Sequence, residues 1–180
     1  MPDPALSEAI QEAYAHAPTD AIILHTLELR HPDFRDDAGN PTAIRVVRDQ
    51  KDLEARLEVD APMDGGEWVK FVAMGFELDL PAVDTTPVPE IVVTLDNVSR
   101  EIVRYLDVAA ESQSVIEITY RPYLSNDLDG PQMDPPITLV LSEVEVDVQR
   151  VTARARMMDI GNKAFPSRTY TAREFPGLTR

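Results

Sequence analysis

The chain of 180 residues contains no cysteine. This absence excludes disulfide bonds, thiolate metal sites and cysteine nucleophiles. The sequence also has no apolar run near the roughly 20 residues that a bilayer-spanning helix needs, so we predict neither a transmembrane helix nor membrane insertion. Residues 1–11 lack the basic region and the apolar core of a secretory signal. We therefore expect synthesis in the cytosol.

Basic residues are scarce relative to acidic ones. The 17 Lys and Arg residues face 32 Asp and Glu residues, which gives a net charge of −15. A nucleic-acid-binding surface is usually marked by a basic stripe, so this balance argues against specific binding to DNA or RNA. Strong acidity most often serves solubility and mutual repulsion. It also suits a surface that DNA passes without sticking.

The remaining composition is that of a globular protein. Hydrophobic residues make up 43% of the chain, and 180 residues are enough to bury a core. No internal repeat and no low-complexity segment divides the sequence. We predict a single domain over residues 1–180, with an N-terminal helical arm (1–18) and an extended C-terminal tail (159–180).

The most regular pattern lies between residues 137 and 157. Apolar residues alternate with acidic or amide ones from Glu143 to Gln149, and with Thr or Arg from Val151 to Met157. A period of two places successive side chains on opposite faces of a sheet. The phase jumps at Gln149 and Arg150, which fits a tight hairpin or a bulge within one long strand. In the hairpin, an acidic strand would lie opposite a basic one.

Further elements follow from periodicity and turn residues. We predict strands at 21–30, 43–48, 67–80 (bent near Gly75), 90–95 and 113–123, and leave 52–59 open between a helical turn and irregular chain. Loops are predicted at 31–41, 81–89 and 125–136, and a turn at 64–66. A short helix should span 4–17, and a second should run from a cap at Asn97 or Ser99 to about Ala110. The apolar face of that second helix is Ile102, Val103, Leu106 and Ala110.

These elements predict a mainly β (α+β) fold. Its antiparallel sheets would form a barrel-like sandwich with one central helix and a short N-terminal helix. Strands and helices do not alternate regularly, which argues against a doubly wound parallel sheet. Trp68, Phe71 and Phe76, together with Met157 and Met158, are predicted to lie in the core, with a sticky interface as the alternative.

No motif for catalysis or cofactor binding stands out. His16, His25 and His31 have no metal-site spacing, and the acidic segments 33–40 and 126–130 read as solvated turns rather than calcium loops. The sequence contains no nucleophile elbow, P-loop or dinucleotide fingerprint. We expect a protein that is not an enzyme and needs no metal or cofactor.

Three stretches taken together resemble a known family. They are LSEAIQEAYAHAPTDAIILHTLELRHPDF (6–34), EIVVTLDNVSREIVRYLDVAAES (90–112) and FPSRTYTAREFPGL (165–178). The ordered trio is similar to DUF1833, a family of small tailed-phage and prophage proteins. The resemblance covers nearly the whole chain.

The resemblance implies a structural role at the tail tip of a long-tailed phage, in the distal tail ring or in the hub below it. It carries no catalytic residues. The implied partners are further copies of the chain and other tail proteins (tail tube, tape measure and hub), with passive passage of DNA. The implied location is the virion tail, assembled in the cytoplasm of the bacterial host. The alternatives are a monomeric assembly chaperone or binding module and, more weakly, an accessory hydrolase.

A ring requires segments that reach a neighbouring subunit. The N-terminal helix and the C-terminal tail are the best candidates, because both carry apolar side chains spaced through polar sequence. The predicted interface residues are Leu6, Ile10, Tyr14, Phe165, Tyr170, Phe175 and Leu178. For the tail, packing back on its own domain is an equal alternative. For the helix, docking on its own sheet is the alternative.

Overall fold

The fold was obtained as a computed structural model. It describes residues 7, 8, 10, 21–79, 90–96, 100–112, 114–147 and 150–157. The elements are β1 (Ile23–Arg35), β2 (Pro41–Val47), β3 (Leu53–Arg56), β4 (Trp68–Ala73), β5 (Phe76–Asp79), β6 (Glu90–Asp96), α1 (Arg100–Ala110), β7 (Glu117–Leu124), β8 (Ile137–Val146) and β9 (Arg150–Met157). The predicted loop at 81–89 and the predicted caps of α1 lie outside the described residues.

The nine strands form one sheet in the order β3-β4-β2-β1-β7-β8-β9-β6-β5. Every neighbouring pair is antiparallel except β2 and β4, which run parallel and pair only at Val46↔Val72 and Val47↔Ala73. β4 and β5 lie near opposite ends of this order, yet only Met74 and Gly75 separate them in the chain. The sheet must therefore curl until its two ends approach each other. The prediction of a mainly β fold is confirmed, but the predicted antiparallel sheets are a single mixed sheet.

The inner side of the curl holds the main hydrophobic core. One continuous cluster includes Ile44 of β2, Phe76 of β5 and Leu139 of β8, which the strand order places far apart. β1 adds Leu27 and Leu29 to the same cluster. The contact between strands from both ends of the sheet is what the curled geometry requires.

Helix α1 packs on this core. Its buried side chains follow the i, i+3, i+4, i+7 spacing of an amphipathic helix: Ile102, Tyr105, Leu106 and Ala109. The predicted face was wrong at Ala110, which is exposed, and it missed Tyr105. The hydroxyl of Tyr105 donates to the carbonyl oxygen of Arg35 at 3.0 Å, so the helix is tied to the end of β1.

The predicted hairpin of residues 137–157 is confirmed. β8 and β9 pair antiparallel from Leu139↔Met157 to Val146↔Val151, with a register shift between Leu141 and Glu143. The alternative of a bulge at Gln149 and Arg150 within one long strand is wrong, because β8 and β9 are two paired strands; the register shift is a separate irregularity within β8. Glu143 lies opposite Arg154, and their side chains approach to 3.5 Å.

Three predictions in the first half of the chain need correction. β1 continues through residues 31–35, where His31 and Phe34 are buried, so the turn is confined to 36–40. Segment 53–56 is a strand, so both alternatives predicted there, a helical turn and irregular chain, were wrong. The segment predicted as one bent strand is two strands, β4 and β5, because the chain leaves one end of the sheet at Gly75 and joins the other.

The turns predicted from Asp and Gly are confirmed. The Asp36 carboxylate accepts hydrogen bonds from the backbone N–H groups of Ala38 (2.9 Å) and Asn40 (2.8 Å). Asp64 and Gly66 both have positive φ angles of 54° and 76°. A Cβ atom at Gly65 would lie 2.5 Å from the carbonyl oxygen of Val59, so this turn requires glycine there. No helix in the described part of the chain is long and apolar enough to cross a membrane.

Candidate functional site

The face of β1, β2 and β7 that points away from the main core carries a buried network of charges. Its centre is Glu28, whose side chain is fully buried. Arg30 donates from Nη1 to Glu28 Oε1 at 2.8 Å, and Arg45 donates from Nε to Glu28 Oε2 at 2.8 Å. Arg121 Nη1 lies 3.4 Å from Glu28 Oε1. One carboxylate therefore faces three guanidinium groups.

Strand register brings these residues together. Glu28 is directly opposite Arg45 on β2, and Arg30 is directly opposite Glu117 on β7. Thr26, two residues before Glu28 on the same face, is opposite Arg121. Arg30 Nη2 donates to Glu117 Oε2 at 3.1 Å. The period of two in a strand thus places alternating charges on one face of three adjacent strands.

The loop of residues 57–67 covers this network. Glu58 accepts two hydrogen bonds from Arg121, from Nε and Nη2, each at 2.7 Å. Asp64 accepts from Arg45 Nη2 at 2.6 Å. The loop is closed by its own backbone, since the N–H of Gly66 donates to the carbonyl oxygen of Glu58 at 2.9 Å. Bidentate carboxylate–guanidinium pairing fixes both distance and orientation, so it holds the loop on the sheet.

The network nearly balances its own charge. Its three cations are Arg30, Arg45 and Arg121, and its four anions are Glu28, Glu58, Asp64 and Glu117. Burial opposes the charged form of Arg121, but the hydrogen bonds to Glu58 and the proximity of Glu28 raise its pKa above the ordinary value. Within the described residues, Arg121 Nη1 has no hydrogen-bond acceptor.

A second, smaller core lies beside the network. Hairpin β3–β4 packs Ala55, Val69 and Phe71 against Leu24, Val47 and Tyr123 of the sheet. The hydroxyl of Tyr123 donates to the carbonyl oxygen of Arg56 at 3.0 Å. Burial is the main cause that raises the pKa of Tyr123 well above its usual range. The face is therefore closed by apolar packing at one end and by ion pairs at the other.

A cleft of about 510 Å³ opens next to the network. Its lining residues are Arg30, His31, Pro32, Met63, Ser114, Val115 and Glu117. Arg30 already donates to Glu28 and Glu117, so its charge is balanced within the protein. The cleft can receive a small apolar group against Met63 and Val115.

The histidines that the structure describes make contacts within the fold. His25 Nδ1 lies 2.7 Å from the Tyr120 hydroxyl, and burial, followed by the charge of Arg48, lowers the pKa of His25. His31 Nε2 lies 3.3 Å from the carbonyl oxygen of Ser114. His16 lies outside the described residues. Among the described residues, no group of three or more His, Asp or Glu side chains converges as metal ligands would.

The outer face of β4 is exposed and partly apolar. Trp68 is 55% exposed and Val72 is 49% exposed, with Lys70 between them on the same side of the strand. The prediction that Trp68 lies in the core was wrong, whereas Phe71 and Phe76 are buried as predicted. Trp68 and Phe71 differ in exposure because successive side chains of a strand point to opposite faces. Phe71 lies on the face of β4 that packs on the second core, and Trp68 lies on the other face.

The predicted interface residues are only partly described. Ile10 is 0% exposed, so it is buried within its own chain rather than available to a neighbour. Ser7, at the start of this segment, accepts from the backbone N–H of Ile10 at 3.3 Å and donates its hydroxyl to Gln132 Oε1 at 2.7 Å. The remaining predicted residues lie outside the described part of the chain: Leu6, Tyr14, Phe165, Tyr170, Phe175 and Leu178.

Sequence reasoning missed the charge network. Thr26, Glu28 and Arg30 lie on the same face of β1, and a strand face with such polar residues normally points to water. The available signal was the pair Arg45 and Arg121, each isolated among apolar or aromatic strand residues. An arginine in that setting needs a buried acidic partner, which points to Glu28.

Comparison with known proteins places the chain in one family. No curated protein matches it. The family model described as "Domain of unknown function (DUF1833)" matches residues 9–170, which takes in every described strand and the helix α1. The chain therefore belongs to the DUF1833 family.

Proposed function

We propose that the protein is a structural component of the tail tip of a long-tailed phage, prophage or phage-like particle. It would form part of the distal tail ring or hub by oligomerisation. Its partners would be further copies of itself and the neighbouring tail proteins, and its location would be the virion tail. Membership of the DUF1833 family, whose members we take to be tail-module proteins, motivates the proposal, and the outer face of β4 supports it.

The single observation that carries the proposal is the half-exposed Trp68. Tryptophan is among the residues most enriched at the energetic centres of protein interfaces. Here it shares its face with Val72, and Arg56 is its cross-strand partner on β3. An exposed aromatic beside an arginine matches the composition of interface centres. On the same face, Lys70 pairs with Asp52 at 2.8 Å, and Trp68 remains 55% exposed beside this pair.

A contact through this face would be heterologous if it met a different surface of the next subunit. Heterologous contacts close into rings when the rotation between subunits allows it. A net charge of −15 per subunit would then make a ring strongly acidic and would favour passage of DNA without binding. Imaging of an assembled ring tests this last point, which fails if the acidic surface lies on the outside.

A monomeric chaperone or binding module is the alternative. The observation that favours it is that Ile10 is buried and Ser7 bonds to Gln132, so these two residues of the arm expected to reach a neighbour contact their own chain. In that case the Trp68 face would bind another tail protein rather than a second copy.

Light scattering of the full chain, over a range of concentration and salt, tests the proposal. We expect a closed oligomer whose mass does not change with salt once formed. Trp68→Ala should weaken association by about 30-fold, as expected for loss of about 2 kcal/mol at an interface centre. Val59→Ala is the matched control, since Val59 is 84% exposed and lies on the loop rather than on β4.

A persistent monomer at all concentrations would contradict self-assembly. Mixing with the neighbouring tail proteins then separates the two functions. Incorporation into a stable tail-tip complex would retain the structural role, and release after assembly would identify a chaperone.

A further inference from the structure

A groove of about 300 Å³ separates the first half of β2 from β4 and helix α1. β2 is paired with β1 from Ala43 to Val47, but its pairing with β4 comprises only Val46 and Val47. β4 diverges from β2 before this point because its inner residues, Val69 and Phe71, pack on the second core. The edge of β2 before Val46 therefore has no strand partner within the described residues.

The groove combines a strand edge with an apolar wall. Its lining includes Thr42, Ile44, Val72, Met74, Ile102 and Tyr105. The two cations beside it are already neutralised: Arg45 by Glu28 and Asp64, and Lys70 by Asp52 at 2.8 Å. An open strand edge beside apolar pockets suits an extended peptide, which gains main-chain hydrogen bonds from the edge and specificity from the pockets.

The C-terminal tail has the sequence of such a peptide. Residues 167–173 read SRTYTAR. Three of the seven are Thr or Tyr, which favour β-strands, and none is glycine or proline. The tail (159–180) contains four basic and two acidic residues, a net charge of +2, whereas the rest of the chain carries −17. The charge of the tail is thus complementary to that of the body of another subunit.

The position at which the tail begins favours a neighbour as its acceptor. Met157, the last residue of β9, is level with the groove, because register links Met157 to Leu139, then Ile118, Leu29 and finally Ile44. β9 and β2 are four strands apart, or about 19 Å along the sheet. The interior between them is filled by the main core, so a tail bound to its own groove would have to run round the outside of the sheet. A groove on an adjacent subunit requires no such path.

We infer that the groove receives residues 167–173 of the C-terminal tail of a second copy as an added β-strand. This inference rests on the proposed oligomeric function and names the contact that would build it. Thr169 is twelve residues after Met157, a span of up to about 40 Å when extended, so the tail can reach across a subunit boundary. Tyr170 would supply an aromatic ring for the apolar wall.

Disulfide trapping tests the contact, and the absence of native cysteine makes the full chain a clean background. Two differently tagged chains are co-expressed, one with Thr42→Cys and the other with Ser167→Cys, Thr169→Cys or Thr171→Cys. We expect one tail position to give about tenfold or more heterodimer than the control, because only Cα atoms within about 7 Å can be bridged. The control pairs the same tail variants with Glu145→Cys, which is exposed on β8.

Val72→Glu provides a second test, because it places a charge on the wall of the groove. Because Val72 also lies on the Trp68 face, light scattering first checks that the variant retains its oligomer. Trapping through Thr42→Cys should then be abolished, whereas the same change at Val59 should leave trapping unaltered. An oligomer by light scattering without trapping above the control would overturn this contact and leave the proposed function standing. A disulfide formed only within one chain would also overturn it, and a monomer would count against both.

Discussion

The two faces of β1, β2 and β7 are built from the same strands by different means. The inner face is apolar and packs Leu27, Leu29 and Ile118 into the main core. The opposite face is equally buried at its centre, yet it holds Glu28 and three arginines under the loop of residues 57–67. Burial therefore does not follow hydrophobicity on this second face. It follows the mutual neutralisation of charges that register brings side by side.

The two faces contribute differently to stability. The apolar face stabilises through the area it removes from water, which is not directional. The charged face gains little net free energy, because desolvation of the ions offsets their attraction, but it strongly penalises any arrangement that leaves one charge unpaired. We interpret the network as the feature that fixes the loop of residues 57–67 in one position.

The largest expected effect is the loss of the central carboxylate. Glu28→Gln leaves Arg30 and Arg45 facing a neutral group in a buried site, so we predict a loss of about 3–5 kcal/mol in the free energy of unfolding. Leu27→Ala, on the other face of the same strand, should cost about 2–5 kcal/mol. Urea denaturation of both variants makes the comparison. A cost for Glu28→Gln below about 1 kcal/mol would mean that the network behaves like a surface ion pair.

The next effect concerns the link between sheet and loop. Arg121→Met removes the bidentate partner of Glu58 and should cost about 3 kcal/mol. Adding Glu58→Gln should restore part of that loss, because a partly buried carboxylate is then no longer left without a cation. A double-mutant cycle by denaturation measures the coupling. Additive losses in the two variants would show that these residues do not act as a pair.

A smaller effect arises from His25, which contacts Tyr120 of the main core. Burial and Arg48 lower its pKa in the folded state, so the unfolded chain binds a proton more readily. The contribution of neutral His25 to the free energy of unfolding should therefore be fully present above the unfolded pKa of about 6.5. It should be lost as the pH drops through the lower pKa of the folded state. His25→Gln should flatten this part of the pH profile. An unchanged slope between about pH 5 and 7 would exclude His25 as its cause.

The smallest effect belongs to the exposed end of the β8–β9 hairpin. Glu143 and Arg154 are 3.5 Å apart, and both side chains are 58% exposed. Arg154→Ala should change the free energy of unfolding by less than about 1 kcal/mol, since solvent screens an exposed pair. Thermal denaturation in low and high salt provides the check. A loss comparable with that of Glu28→Gln would remove the distinction between buried and exposed charges.

Sequence alone predicted the elements whose burial is one-sided. The hairpin of residues 137–157 and the helix after β6 were found because each alternates apolar and polar residues with its own period. The extension of β1 through Pro32 was missed, since turn residues outweighed the buried Phe34. The route from β4 to β5 was missed as well, because a bend and a transfer to the other end of a curled sheet leave the same local signal at Gly75.

The site was harder to predict because it depends on contacts between distant segments. Glu28, Glu58 and Arg121 belong to three separate parts of the chain, and only register and loop closure bring them together. Alternating polar residues in a strand look the same in sequence whether their face is exposed to water or covered by a loop. The outer face of β4 shows the opposite error. Trp68 was predicted to be buried because it is a large apolar residue, but it is 55% exposed.

Native-state hydrogen exchange tests the central claim most directly. The reporting amides are Leu57, which donates to Glu67, and Gly66, which donates to Glu58. If the charge network makes the loop of residues 57–67 part of the core, these amides should exchange with the same opening free energy as those of β1. Exchange of the loop amides far faster than those of β1 would contradict the account, because it would show the loop opening while the sheet stays folded.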